Sequence, residues 1–187
     1  MNSFKEDLFI ICEGPTEIKF INKLKEYFDC KYNLILINAK GKPRISKEYL
    51  KVKKRNNYSK VFVMYDLDNV DTLDTIINSY LENGIKINKK DIYYINPDFE
   101  MLLILCKENK LITNNYNTYI KKHFNIDNYK KSDRDLNKIL NLISKDDLIN
   151  LNTKMKNLII KDDKENRSSN YYDLFNKIFI IKKDIVE

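Results

Sequence analysis

Two short and almost continuous apolar runs, residues 8–12 (Leu-Phe-Ile-Ile-Cys) and 61–65 (Val-Phe-Val-Met-Tyr), set the tightest limit on how this chain folds. Neither run alternates apolar with polar residues, as a strand wetted on one face would. Neither approaches the roughly 18 residues of a membrane span. Runs of this length and character suit strands buried on both faces, the situation of a parallel sheet covered by helices on either side. The segments after each run fit that architecture. After 7–12, the turn Glu13-Gly14-Pro15-Thr16 leads into a helical pattern to about residue 29, with Ile18, Ile21, Leu24, Lys25 and Phe28 on its stripe. A second strand pattern covers 32–38, and Lys40-Gly41-Lys42-Pro43 breaks it before a basic helix over about 45–57. A third strand, 60–65, ends at Asp66, and 71–82 reads as a helix with Leu73, Ile76, Ile77, Tyr80 and Leu81 inward, stopped by Gly84. Residues 91–95 form a fourth strand, and Pro97 opens another helix.

Strands alternating with helices predict an α/β fold built on a mostly parallel four-stranded sheet flanked by helices. Beyond about residue 107 the patterns over 115–124, 133–144, 146–160 and 171–181 are helical, 161–170 is a polar loop, and a strand is weakly suggested only near 178–181. The helical second half is expected to pack on the sheet. With 187 residues and no repeat or low-complexity linker, one domain over 1–187 is expected, with its sheet core at about 7–107 and a helical extension at about 108–187.

The three cysteines, Cys12, Cys30 and Cys106, are too few and too scattered for a disulfide framework or a zinc site, and two lie within apolar runs. The one histidine, His123, cannot build a His-rich metal centre and is expected at the surface. The N-terminal residues are polar and lack the apolar core of a signal peptide, so a cytoplasmic protein without a membrane partner is expected. The net charge of +7, from 34 Lys and Arg against 27 Asp and Glu, is compatible with a nucleic-acid partner, although the richness in Ile, Asn and Lys also matches coding by an AT-rich genome.

Acids stand where a parallel sheet places its chemistry, at the carboxyl ends of strands. Glu13 follows the first strand, and Asp66 and Asp68 end the third. Residues i and i+2 of an extended segment point the same way, so Asp66 and Asp68 aim at one point, and Glu13 joins them if the first and third strands are neighbours. Two carboxylates about 4 Å apart repel by roughly 4 kcal/mol at an effective dielectric of 20. No Lys or Arg within 13–17 or 65–71 relieves that repulsion. A shared proton or a hard cation is required, and Mg²⁺, with Mn²⁺ able to substitute, is commonly held by one or two carboxylates completed by water and phosphate oxygens. Taken singly, each motif has a plainer reading. Asp-x-Asp is frequent in surface turns, and Glu-Gly-Pro-Thr-Glu also describes a helix start with Thr16 as cap and Glu17 favourable in the first turn.

Ile11-Cys12-Glu13-Gly14-Pro15-Thr16-Glu17 followed by Val63-Met64-Tyr65-Asp66-Leu67-Asp68 resembles the Toprim pattern, a Glu after the first strand and Asp-x-Asp after a later one. Tyr94-Ile95-Asn96-Pro97-Asp98-Phe99-Glu100 resembles the Asn-Pro-x-Phe-Glu block of RloB-like proteins, found among phage-defence and restriction-linked genes. Asn166-Arg167-Ser168-Ser169-Asn170 is similar to that family's Asn-Pro-Ser-Thr block, with Arg167 in place of its proline. The resemblance spans about residues 8–175 and implies a Toprim-like sheet, Mg²⁺ and nuclease chemistry on DNA or RNA in antiviral defence, including abortive infection. It implies Glu13, Asp66 and Asp68 as catalytic, metal-holding residues. Glu17 and Glu100 are further candidate ligands, each also explicable as a helix-start acid, and Asn96 lies on the same edge in support.

Lys40, Lys42, Arg44, Lys47, Lys51 and Lys54 crowd one segment. Ile45, Tyr49 and Val52 keep helical spacing, so Lys47, Lys51 and Lys54 form the opposite ridge, either a solvated face or a track for phosphates beside the active edge. Lys130, Lys131 and Arg134 make a smaller patch. Tyr58 and Tyr129 beside these patches are core or rim residues, with base stacking as the alternative. The leading expectation is an Mg²⁺-dependent nuclease serving as a prokaryotic antiviral-defence effector. The rival is a noncatalytic Toprim-like module that binds nucleic acid, a partner ATPase or another defence-system protein. A nucleotide-binding enzyme has no Gly-rich phosphate loop to support it, because Gly14, Gly41 and Gly84 lie far apart.

Overall fold

A computed structural model describes residues 4–55, 60–67, 73–95, 98–109, 115–157 and 169–181. Its centre is a parallel sheet of β1 (Asp7–Cys12), β3 (Asn33–Asn38), β4 (Lys60–Asp66) and β5 (Ile92–Ile95) in the order β3-β1-β4-β5. All three pairings are parallel, with Cys12 beside Asn38 on one side and beside Met64 on the other. The condition set by the sequence is met: the strands that carry Glu13 and Asp66 are neighbours.

The side chains of β1 and β4 alternate between two cores, which explains why both strands are apolar throughout. Leu8, Ile10 and Cys12 with Phe62 and Met64 enter the larger core, while Ile11 with Val61, Val63 and Tyr65 enters the smaller one. On the larger-core face lie α1 (Pro15–Tyr27), α4 (Glu100–Leu105), α5 (Tyr116–Phe124), α6 (Asp133–Asn141), α7 (Lys145–Asn157) and α8 (Tyr171–Ile178). On the other lie α2 (Ile45–Arg55) and α3 (Leu73–Glu82). Connections of constant hand require this split: the path from β1 to β3 runs one way across the sheet, and those from β3 to β4 and from β4 to β5 run the other. The reversal falls between β1 and β4, where open α/β sheets form their binding crevice.

The helical second half packs on the sheet as expected. Phe20 of α1 meets Phe99 and Tyr171 edge to face, at 5.2 and 5.8 Å between ring centroids. Each such fully buried side chain stabilises the fold by about 1.5–3 kcal/mol. A two-residue antiparallel pair, β2 (Asp29–Cys30) with β6 (Phe179–Ile180), ties the end of α8 to the end of α1.

Three local expectations change. The cap of α1 is Gly14, not Thr16, because Pro15 with its fixed φ takes the first helical position. Lys25 is exposed, and the stripe runs through the buried Phe20, Ile21 and Leu24. Leu81 is 56 % exposed, while Ile76 and Tyr80 are buried in the smaller core with Leu73 and Ile77 packed against it. The strand suggested near 178–181 is the short β6, which takes the end of a segment otherwise helical.

Asn170 secures the outer edge of β5. Its Oδ1 accepts from the Tyr94 N–H at 2.7 Å, and its Nδ2 donates to the Ile92 carbonyl at 2.8 Å. Beside it, Ser169 bridges Ile95 in antiparallel sense. The amide thus serves as one further rung of the sheet. Asn170→Ala is expected to lower the unfolding free energy by about 1–3 kcal/mol, the cost of stranding half-buried peptide groups. Urea denaturation followed by circular dichroism checks this, and an unchanged midpoint refutes the role.

Candidate active site at the carboxyl edge of the sheet

Glu13 leaves β1 and Asp66 ends β4, side by side at the point of strand reversal. The Asp66 backbone N–H donates to Glu13 Oε2 at 3.4 Å, so the Glu13 carboxylate lies across the end of β4. Asp66 continues the alternation of Phe62 and Met64 and therefore points toward the larger-core face, where α1 and α4 begin. Its Oδ1 is buried with no hydrogen-bond partner among the described residues.

Glu17 and Glu100 belong to the first turns of those helices, and both are buried, with 3 % and 2 % of their surface exposed. Glu17 Oε2 accepts from the Gly14 N–H at 3.1 Å, which closes the turn after Glu13 and caps the helix. This is the expected role of a helix-start acid, and the same carboxylate adds to the negative charge around Asp66. Glu100 accepts from the Tyr129 hydroxyl at 3.2 Å and from Lys131 Nζ at 2.7 Å. Asp98, not among the acids singled out by sequence, joins the same group. The only sequence signal for it is its position among acids directly after a strand.

Electrostatics bind these residues into one system. Burial, and then the carboxylates of Glu17, Glu100, Glu13 and Asp98, push the Asp66 carboxyl up to about 8. Burial also raises Glu17, with Glu13 and Glu100 adding to it against the backbone hydrogen bonds that favour its charge. Burial and then Glu100 raise Asp98, while Lys131 and the neighbouring Tyr116 hydroxyl oppose them. A cation does reach this region, from a loop far along the chain rather than from the local motifs. In sequence Lys131 belongs to a small basic patch, but it turns its ammonium onto Glu100 at the rim of the acidic group.

Asp68, Asn96 and Tyr58 lie outside the described residues. Of the basic segment, the first part approaches the edge: the Gly41 N–H donates to the Glu13 carbonyl at 2.8 Å, bringing Lys40 and Lys42 alongside. Arg44, Lys47, Lys51 and Lys54 are exposed, and Lys51 pairs with Glu48. Because α2 returns toward the amino end of the sheet, Lys54 stands roughly 13 Å back from the start of the helix at 1.5 Å per residue. Cys12 and Cys106 are buried core thiols, and His123 shares Glu108 with Lys122 away from this edge.

Among the described residues, no three His, Cys, Asp or Glu side chains close into a metal-ligating group. The donors present nevertheless suit a hard divalent ion, which needs only one or two protein carboxylates. Asp66 offers a buried oxygen without a partner among the described residues, Glu13 lies beside it, and the neighbouring carboxylates are negative. Glu100 borders this edge and also a cavity of about 420 Å³ against α5, whereas a larger one of about 790 Å³ lies at the amino ends of β1 and β3, away from these acids. Comparison with known proteins gives no family model, no curated protein and no solved structure that matches the chain.

Asp66 makes the stability of the metal-free protein depend on pH in a defined direction. Its carboxyl rises from an ordinary 3.8 to about 8 on folding, so between those values the folded chain holds a proton that the unfolded chain has released. This contribution is complete below pH 3.8 and is lost as the pH rises through about 8. In EDTA at pH 8, Asp66→Asn is therefore expected to be more resistant to urea than the parent, with the gap closing toward pH 4. A parent more stable than Asp66→Asn at pH 8 contradicts the assignment.

Proposed function

We propose that this chain is a divalent-metal-dependent phosphodiesterase, a nuclease that serves as a cytoplasmic effector of prokaryotic antiviral defence. The observation that carries the catalytic part is the meeting of Glu13 and Asp66 at the strand reversal, with Asp66 Oδ1 buried amid acids and unpaired among the described residues. The defence role rests on the resemblance of the blocks around Glu13, Asp66 and Glu100 to RloB-like and Toprim proteins. No described helix is long and apolar enough to cross a membrane.

In this reading Asp66 and Glu13 hold Mg²⁺ or Mn²⁺, and Asp68 completes the set. When bound, the ion neutralises phosphodiester charge and lowers the pKa of water. Glu17 keeps the Glu13 loop closed through the Gly14 N–H, which fixes where the Glu13 carboxylate stands. Asp66 must release its proton for the ion, so the acids that raise its pKa also make loading depend on pH. Lys40 and Lys42 stand nearest the reacting phosphate, and the exposed lysines of α2 add affinity for more distant phosphates.

A second reading, a noncatalytic module that binds nucleic acid or a partner ATPase, is favoured by Lys131, which compensates Glu100 without any metal. One experiment separates the two. Plasmid, single-stranded DNA, transfer RNA and ribosomal RNA are incubated with the full chain in Mn²⁺, in Mg²⁺ and in EDTA. Cleavage of at least one substrate is expected with metal only, with Asp66→Ala and Glu13→Ala each losing at least about 100-fold, as for removal of a catalytic group. Nucleic-acid binding without cleavage, unchanged by Asp66→Ala, selects the second reading.

A further inference from the structure

The cavity of about 420 Å³ beside the acidic edge has a lining unlike the edge itself. Tyr116 and Tyr129 give it aromatic walls, Asn117 and Thr118 stand at its mouth on the exposed first turn of α5, and Glu100 and Lys131 border it on the side of the acids. Its volume falls in the range of about 300–1,000 Å³ typical of small-molecule sites. Lys131 is the one cation among the lining residues, so the interior suits a neutral, planar group and the rim a single negative charge.

Both tyrosines stand against the acidic group, and Tyr129 is hydrogen-bonded to it. The Tyr129 hydroxyl donates to Glu100 at 3.2 Å, and the Tyr116 hydroxyl lies beside Asp98 and favours its charged form. The Tyr129 ring is therefore held next to the edge where the phosphodiester is proposed to sit.

Resting on that reading of the edge, we propose that this cavity receives the unpaired base of a nucleotide adjoining the reacting phosphate, so that the chain selects single-stranded over duplex nucleic acid. Aromatic faces accept any base, since stacking needs only a π-surface. The Asn117 amide supplies both a donor and an acceptor for a base edge. A paired base cannot enter, because leaving the stack and its partner costs a few kcal/mol, which an already unpaired base does not incur. Lys131 at the rim faces the phosphate of the same nucleotide, held in place by its bond to Glu100.

The test is binding rather than cleavage, so that it stands apart from the hydrolase reading. Fluorescence anisotropy is measured with the full chain in Ca²⁺, using labelled oligothymidylate, labelled oligouridylate and a DNA duplex of equal length. The single strands are expected to bind at least about tenfold more tightly than the duplex, the scale of one base–aromatic stack. Tyr129→Ala is expected to remove most of that preference, and Tyr129→Phe to keep it. Thr118→Trp, at an exposed position that tolerates the change in folding, fills the mouth and is expected to abolish the preference while leaving duplex binding intact. Equal affinity for single strands and duplex, or single-strand binding indifferent to Thr118→Trp, overturns the proposal. A chain that keeps the preference but cleaves nothing upholds the cavity and removes the hydrolase reading. Metal-dependent cleavage of duplex and single strands alike, untouched by Thr118→Trp, does the reverse.

Discussion

Asp66 carries its carboxyl into a space already bordered by Glu13, Glu17, Asp98 and Glu100. Each close pair of charged carboxylates costs roughly 4 kcal/mol at 4 Å and an effective dielectric of 20, comparable with a large part of a domain's net stability of about 5–15 kcal/mol. Such an edge persists only if the charge is relieved. Among the described residues, Asp66 holds its proton up to about 8, Glu17 takes the Gly14 N–H, and Lys131 pairs with Glu100. Asp66 Oδ1 remains buried without a partner among the described residues, and that demand for positive charge is what a divalent ion would meet.

The fold keeps the edge in place from both sides of the sheet. Buried strands fix Glu13 and Asp66 through the register of β1 with β4, while α1 and α4 bring Glu17 and Glu100 to the same end because both helices start there. The helical second half closes the arrangement. Its loop supplies Tyr129 and Lys131, its last helix packs on Phe20, and Asn170 completes the hydrogen bonding of β5. A sheet of four strands alone would leave Glu100 exposed and the cavity beside α5 without walls.

The apolar runs 8–12 and 61–65 made the parallel sheet legible, and with it the positions of Glu13 and Asp66, because a strand end in such a sheet is itself a location in space. Other features depended on contacts between residues distant along the chain. Lys131 lies 31 positions from Glu100, and in sequence it looks like any lysine beside another lysine and an arginine. Asn170 reaches Tyr94 across 76 positions by a side-chain bond to the backbone, which leaves no periodic trace. Asp98 was hidden by its setting, since an acid before a helix is usually accounted for by the helix. Leu81 satisfied the helical period, yet the period cannot tell how wide the opposing surface is.

The claim on which the rest depends is that the gap between Glu13 and Asp66 is a cation site. Crystals soaked in Mn²⁺ and measured at the manganese absorption edge test it most directly. The account predicts an anomalous peak within roughly 2.0–2.2 Å of a carboxylate oxygen of each residue, the distance of a small hard divalent ion from oxygen. A gap filled instead by the Lys131 ammonium, with no peak at saturating Mn²⁺, would contradict it.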